Sequence, residues 1–383
     1  MTAFSRYWLV PLCLGFFAFA GCAILVRGGG EAAAVNTMAE APMPVYRGAF
    51  HVHSEYSDDS EASLPFIIKV AQKAGLDFVM ITDHNNQNGR SVYENGQYPP
   101  QPLLLFGIEH SRYDATAEKN LIGHLITFGT DETPPGGLTN QALVDWVHAN
   151  GGYGVLAHPF SVRTPWRDWD IRGIDGIEVY NFAHELFETN KFKLMVRSVR
   201  PPQSFLRVSQ KGIEKKIEAW SGLFKAHTGV AAFGAGDAHL HWEWGAIRPE
   251  SFLLYMQSST MYVWAEALER QKIEEALGEG RCFLVFEAHG RPGFLFAAKR
   301  EDNLFLPGSK LVFEPQNPIT FRIQISKKAK MRLLRNSQPI RVLEGTMLDV
   351  PVPGPGVYHA EIYRGDDLWI LASPIEILEQ GEE

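Results

Sequence analysis

The sequence His51-Val-His53-Ser54 sets two imidazoles two residues apart at the end of an apolar run, with Asp58 five residues further on. Similar endings recur along the chain: Thr82-Asp83-His84-Asn85, Gly107-Ile108-Glu109-His110, His124, Ala157-His158-Pro159 and Gly236-Asp237-Ala238-His239. Side chains two apart on a strand point the same way, so His51 and His53 suit one metal ion. A lone His-X-His is a weak signal, and so is Asp237-Ala-His239. Their joint occurrence with Glu109, His124 and His158 at strand ends is a strong one. Mixed imidazole and carboxylate donors fit Zn, Mn or Fe. Two such ions about 4 Å apart lower the pKa of a bound water to about 7 and clamp the attacking and leaving oxygens. No Ser or Cys nucleophile is then needed. The expected metal ligands are His51, His53, Asp58, His84, Glu109, His124, His158, Asp237 and His239, with Glu109, Asp237 and His158 closest to the chemistry. Asp83 reads as a supporting residue. His110, His148, His184, His227, His289 and His359 read as structural.

These residues need a scaffold that brings strand ends together. Seven candidate strands run over Arg47–Val52, Phe78–Thr82, Leu103–Ile108, Leu125–Phe128, Tyr153–Ala157, Gly176–Tyr180 and Val230–Gly234. Helical stretches separate several of them. Leu64–Ala74 places Leu64, Ile67, Ile68 and Ala71 on one face before Gly75, and Gln141–Ala149 follows Thr139-Asn140 as a cap. Alternating strands and helices imply parallel pairing and an α/β fold, and seven units suggest a barrel whose strand ends share one face. His184 to His227 is a long insertion carrying Lys191, Lys193, Arg197, Arg200, Arg207, Lys211, Lys215 and Lys216. It reads as a solvated helical insertion, with an anion-attracting cap as the alternative. Trp264–Leu277 reads as one more helix. Beyond Arg291 strands such as Ile319–Ile325, Met331–Leu334 and Val357–Tyr363 follow one another with Pro/Gly turns, as in a small antiparallel β-sandwich.

The chain has 383 residues, 45% hydrophobic and 21% charged, with a formal net charge of −8. That balance argues against nucleic-acid binding. Three cysteines are too few for a disulfide framework, and Cys282 reads as a small core residue. Trp8 to Val26 is an uncharged apolar run between Arg6 and Arg27. It reads as a signal or membrane anchor over residues 1–26. Phe19-Ala20-Gly21-Cys22 resembles a lipoprotein signal, so lipidation at Cys22 and an uncleaved helix both stay open. Either one tethers an extracytoplasmic chain to a membrane. Residues 27–44 read as a flexible linker.

His51-Val-His53-Ser54 with Ser57-Asp58, Ile81-Thr82-Asp83-His84-Asn85, Gly107-Ile108-Glu109, Ala157-His158-Pro159 and Gly236-Asp237-Ala238-His239 together resemble the PHP (polymerase and histidinol phosphatase) family. The resemblance covers about Val45 to Phe286. It implies a distorted seven-stranded β/α barrel over residues 45–290, holding two or three divalent metals, followed by a β-sandwich over residues 291–383. It also implies a division of ligands: His51, His53, Glu109 and Asp237 on one metal, Glu109, His124 and His158 on a second, and Asp58, His84 and His239 on a third. Asp59 stands where many relatives have Gly, which could move the third site's ligand by one position.

The chemistry points to a metal-dependent hydrolase, with a phosphoester of a small molecule cut by metal-bound hydroxide as the first reading. Arg112 is a candidate phosphate contact or a surface residue. Carbamate or carboxylic-ester hydrolysis on the same metals is the alternative, because some relatives with a similar trailing β-domain resemble such hydrolases. A non-catalytic metal-binding scaffold is a third reading.

Overall fold

The computed structural model describes residues 40–114, 117–189, 206, 210, 212–225, 229–240 and 249–381. The expected N-terminal signal, Cys22 and most of the linker lie outside the described residues. So do Lys191, Lys193, Arg197, Arg200, Arg207, Lys211 and His227. Among the described residues no helix is long and apolar enough to cross a membrane.

Local signals set the first unit. The Ser63 side chain accepts the N–H of Phe66, so α1 (Leu64–Ala74) starts where the sequence predicts. Gly75 ends it in the left-handed conformation (φ 66) that glycine adopts without steric cost. The apolar face buries Leu64, Ile67, Ile68, Val70, Ala71 and Ala74. Strand β1 (Val45–Val52) precedes the helix and β2 (Phe78–His84) follows it; the two pair in parallel. β3 (Leu103–Asp114) joins β2 in parallel, one residue for one from Phe78↔Leu103 to His84↔Glu109. This register sets His84 beside Glu109.

The next two strands depart from the expected parallel order. β4 (Ala117–Phe128) runs antiparallel to β3, and β5 (Tyr153–Ala157) antiparallel to β4. Only two residues of sequence separate β3 from β4. A parallel return needs a crossover of a dozen or more residues, so the chain makes a hairpin. β6 (Gly176–Asn181) and β7 (Ala231–Ala235) restore parallel pairing.

The expected closed seven-stranded barrel does not form as a continuous ladder. β7 pairs with β6, and among the described residues the link toward β1 is an isolated bridge just past β7, Val52 with Ala238. The other edge of β1 is taken by β8 (Thr260–Trp264), antiparallel, which in turn pairs with β9 (Cys282–Val285). The helix expected from Trp264 is shorter, because Trp264 ends β8. Among the described residues the other α-helices are α2 (Asn88–Asn95), α3 (Asn140–Ala149), α4 (Phe182–Glu188), α5 (Ile213–Gly222), α6 (Pro249–Ser258) and α7 (Arg270–Gly278).

The remaining strands are β10 (Phe294–Arg300), β11 (Asn303–Phe305), β12 (Lys310–Val312), β13 (Thr320–Arg335), β14 (Gln338–Pro351), β15 (Gly356–Arg364), β16 (Asp367–Ala372) and β17 (Ile375–Leu378). They are mostly antiparallel, as expected, with one parallel pair, β12 and β17. Their apolar side chains form one core with Tyr262, Trp264, Phe283 and Val285 of β8 and β9. β16 pairs with β9, so the β-rich part continues the sheet that carries the strand ends.

Arg47 on β1 ties several of these parts together. It is 1% exposed. Its guanidinium donates to the Ala74 and Gly75 carbonyls at the end of α1 and to Glu287, which also accepts from the Tyr262 hydroxyl. Arg47→Met leaves the half-buried Glu287 with Arg291, whose Nε stands 3.5 Å away, as its remaining cation. That loss is on the order of 1–3 kcal/mol, measured as a lower urea midpoint with unchanged slope. The double change Arg47→Met, Glu287→Met should recover a large part of it. A single variant as stable as the unmodified chain would refute this role.

Candidate metal centre

Three residues of the predicted set have backbones in the left-handed region: His51 (φ 64), His158 (φ 32) and Asp237 (φ 52). Each such residue costs about 1–3 kcal/mol, and such strain gathers at functional sites. The register of β1 against β2 shifts between Ala49 and Val52, so β1 bulges at His51. Simple alternation therefore does not aim His51 and His53; the bulge does, and their Nε2 atoms stand 3.1 Å apart. The segment after β7 holds the bulge in place. His53 N–H donates to the Ala238 carbonyl (3.0 Å) and Ala238 N–H to the His51 carbonyl (3.4 Å). Gly236 lets α6 pack closely on this segment, since a Cβ there would lie 2.6 Å from the Tyr255 carbonyl oxygen.

Glu109 is the centre of the cluster. Its Oε1 lies 2.7 Å from His124 Nδ1 and 3.1 Å from His158 Nε2. Its Oε2 lies 3.1 Å from His51 Nε2, 3.2 Å from His53 Nε2 and 3.3 Å from His84 Nδ1. Asp237 Oδ1 stands 3.5 Å from both His51 Nε2 and His53 Nε2, and 3.3 Å from His239 Nδ1. A further group is centred on Asp59, whose Oδ2 is 3.1 Å from His84 Nε2 and 3.0 Å from His239 Nε2. Eight of the nine residues singled out from the sequence thus converge. Asp58 does not: it is exposed, and its neighbour Asp59 occupies the place expected of it. The Ser57 hydroxyl donates to Asp59 Oδ1 (2.7 Å) and fixes that choice.

Other side chains orient the donors. Glu178 takes His51 Nδ1 (2.6 Å), the His158 backbone N–H (2.8 Å) and Asn181 Nδ2 (3.0 Å). Asp83 accepts both the backbone N–H and the hydroxyl of Ser54 (2.6 Å each), which locks the turn after His53 in the supporting role expected of it. Ser57 Oγ meets His53 Nδ1 (3.1 Å), and Thr164 Oγ1 meets His158 Nδ1 (3.2 Å). His184 reaches the cluster from α4, with Nε2 3.6 Å from Asp237 Oδ2. Neither His184, which reads from the sequence as structural, nor Glu178 belongs to a repeated ending, so no motif marks either. His110 binds Thr127 Oγ1 (2.9 Å), His148 binds Asp175 (2.9 Å) and His359 faces Glu361 (3.3 Å), all in structural positions. Arg112 Nε donates to Asn140 Oδ1 (2.8 Å) and its Nη2 to the Leu138 carbonyl, which hold the side chain against the start of α3.

Burial opposes charge on Glu109 and Asp237, yet the surrounding imidazoles, His51 foremost, hold both carboxyls well below the usual range. Burial likewise opposes charge on His84, but Asp59 and Glu109 carry it up to about 9. Burial opposes charge on His51 as well, yet Glu178, Glu109 and Asp237 hold it well above the usual histidine range. The donor set fits divalent metal. Inward-facing ring nitrogens and carboxylate oxygens lie 2.7–3.6 Å apart around shared points, and His84 Nδ1 is buried beside Glu109 without hydrogen-bond geometry. A cation among these lone pairs satisfies them together. His51, His53 and Glu109 form one possible ligand group, Glu109, His124 and His158 a second, and His53, Asp59, His84 and His239 a third.

The PHP domain family model matches residues 49–201. An uncharacterised protein of Methanocaldococcus jannaschii is 30% identical over 147 residues, covering 35% of this chain and 81% of that protein. A two-domain protein of Bacteroides vulgatus, described as containing a predicted PHP-like metal-dependent phosphoesterase, is similar in structure with a TM-score of 0.40. It is 14% identical, covering 90% of this chain and 100% of that one. An amidohydrolase of Chromobacterium violaceum, solved with bound sulfate and no metal, gives a TM-score of 0.35 at 15% identity, over 51% of this chain and 88% of that one. Structural likeness at this level fixes neither topology nor chemistry.

Two outcomes are expected. Asp59→Asn should weaken or abolish binding of one metal equivalent, measured as metal content after equilibrium dialysis, whereas Asp58→Asn should leave it intact; the reverse pattern would restore Asp58 as the ligand. In metal-free protein, protonated His84 favours the folded state, so its contribution is full below pH 6.5 and is lost as pH rises through about 9. Stability of the metal-free chain should therefore fall across that window, and His84→Asn should flatten the fall. A flat profile in the unmodified chain would contradict the coupling.

Proposed function

Because the chain belongs to the PHP domain family, we propose that it is a metal-dependent hydrolase and that its substrate is a small phosphoester. The observation that carries this reading is the way Glu109 divides its two oxygens between separate imidazole groups, His124 and His158 on one side, His51, His53 and His84 on the other. Such a carboxylate suits two neighbouring divalent cations. When bound, those cations polarise a phosphoryl oxygen and bring the pKa of a water to near neutrality.

The chain's own residues divide the remaining work. His51, His53 and Glu109 are buried and make a fixed floor. His84, His124, His184 and His239 are 12–20% exposed and form the rim through which substrate reaches that floor. Glu178, Ser57 and Thr164 hold ring nitrogens on the far side, so the inward nitrogens keep their direction without reorganisation. Beside the rim, Arg163 lies 4.0 Å over the Phe187 ring, which in turn stands 6.2 Å from His184. In this reading the guanidinium contacts an anionic group of the substrate. Hydrolysis then places a water oxygen on phosphorus, breaks the bond to the leaving oxygen and delivers a proton to it.

The test is a panel of phosphomonoesters, phosphodiesters, aryl carbamates and aryl esters, assayed with metal content measured on the same sample. Phosphoester turnover should be lost to chelator and regained with metal. Glu109→Gln should lower kcat by at least about 10²-fold, as for loss of a key electrostatic group. Arg163→Gln should raise KM about tenfold, the size of one 1.4 kcal/mol contact, with kcat little changed. Turnover of carbamates or esters alone would select carbonyl hydrolysis on the same residues. A metal-loaded chain inert on the whole panel would sink the enzymatic reading.

A further inference from the structure

His184 has a hydrogen-bonding pattern that the rest of the cluster explains. Three of the inward-facing imidazoles are held alike. His51 Nδ1 meets Glu178 Oε1 (2.6 Å), His53 Nδ1 meets Ser57 Oγ (3.1 Å) and His158 Nδ1 meets Thr164 Oγ1 (3.2 Å). Each of the three turns Nε2 toward Glu109. Histidines that bind metal are commonly fixed in this way, with the outer ring nitrogen donating its proton to a neighbour and the inner one presenting its lone pair. His184 follows the same pattern: its Nδ1 is 2.6 Å from Ser161 Oγ, and its Nε2 faces Asp237 Oδ2 at 3.6 Å. Its ring stacks on that of His158, centroids 4.1 Å apart and 28° between planes. The Asn181 side chain accepts the His184 backbone N–H (3.2 Å) and donates to Asp237 Oδ2 (3.2 Å), so one residue positions both partners.

The separation is also suitable. Two donor atoms each about 2.1 Å from one cation stand roughly 3.0–3.6 Å apart for angles of 90–120°. His158, His184 and Asp237 each offer one donor atom, all within 4.8 Å of one another. His158 Nε2 has a single lone pair and can serve only one cation. We infer that His184 is a metal ligand which, with Asp237 Oδ2, enlarges the set around the cation held by His158. Asp237 then resembles Glu109 in directing its two oxygens to different imidazole groups, Oδ1 toward His51 and His53 and Oδ2 toward His184. The inference rests on the metal-dependent reading above.

The test uses the full chain, stripped with chelator and titrated with Co(II), following visible absorption and metal content after equilibrium dialysis. His184→Ala and His184→Gln should each weaken one equivalent by about 100-fold or more and change its absorption band. Ser161→Ala touches no donor atom and should weaken the same equivalent by about tenfold. It decides the matter if either His184 variant fails to fold. Wild-type affinity and spectrum at every equivalent in the folded His184 variants, or in Ser161→Ala where those do not fold, would overturn the inference while leaving the metal centre standing. A wild-type chain that binds no divalent cation would instead remove the metal-dependent reading itself.

Discussion

One buried carboxylate organises this protein. Glu109 is 1% exposed and has five imidazole nitrogens within 3.3 Å, drawn from β1, β2, β4 and the segments after β1 and β5. A bare carboxylate at that depth is unfavourable, and so are clustered imidazoles that must share protons. The arrangement is stable only where each charge answers another. The elements that supply these groups are therefore bound to one another by the site as much as by their apolar cores.

That constraint accounts for the strained backbone. His51, His158 and Asp237 take left-handed conformations, and two ties hold the turns in place. One joins the ends of β1 and β7 through Ala238, and the other is Glu178, which bonds both the His51 ring and the His158 backbone. The same carboxylate thus orients a side chain and fixes a neighbouring turn. Where β7 and β1 share no ladder, these shorter contacts join the two chain segments at the point where the donors meet.

Much of this could be read in the amino-acid order, and the failures have physical causes. Ser63 and Gly75 mark α1 because capping is local, and β5 ends where Ala157-His158-Pro159 predicts. The residues that converge on Glu109 were legible because rare residue types recur at strand ends. Strand direction was not, since apolar patterning does not distinguish β4 in a hairpin from β4 after a crossover. The choice of Asp59 over Asp58 rests on a hydrogen bond from Ser57, which sequence spacing does not encode. His184 and Glu178 escaped notice because their roles arise from the packing of α4 and β6, not from a motif. The pairing of β1 with β8 was hidden for the same reason: it joins segments more than 200 residues apart.

The junction near residue 290 bears on how such a chain could be rearranged. Phe286 N–H donates to the Trp369 carbonyl (2.9 Å), the Trp369 indole donates to the Gly290 carbonyl (2.7 Å), and Ser373 Oγ meets both Ala232 N–H (3.2 Å) and Cys282 Sγ (3.3 Å). Severing the polypeptide there would uncover the edge of β9 and the aromatic faces of Tyr262, Trp264 and Phe283. An exposed apolar strand edge recruits other chains. The half that carries the His/Asp/Glu cluster is thus not a portable module, and a shuffled or truncated version would have to inherit its β-rich partner or evolve a new cover for that edge.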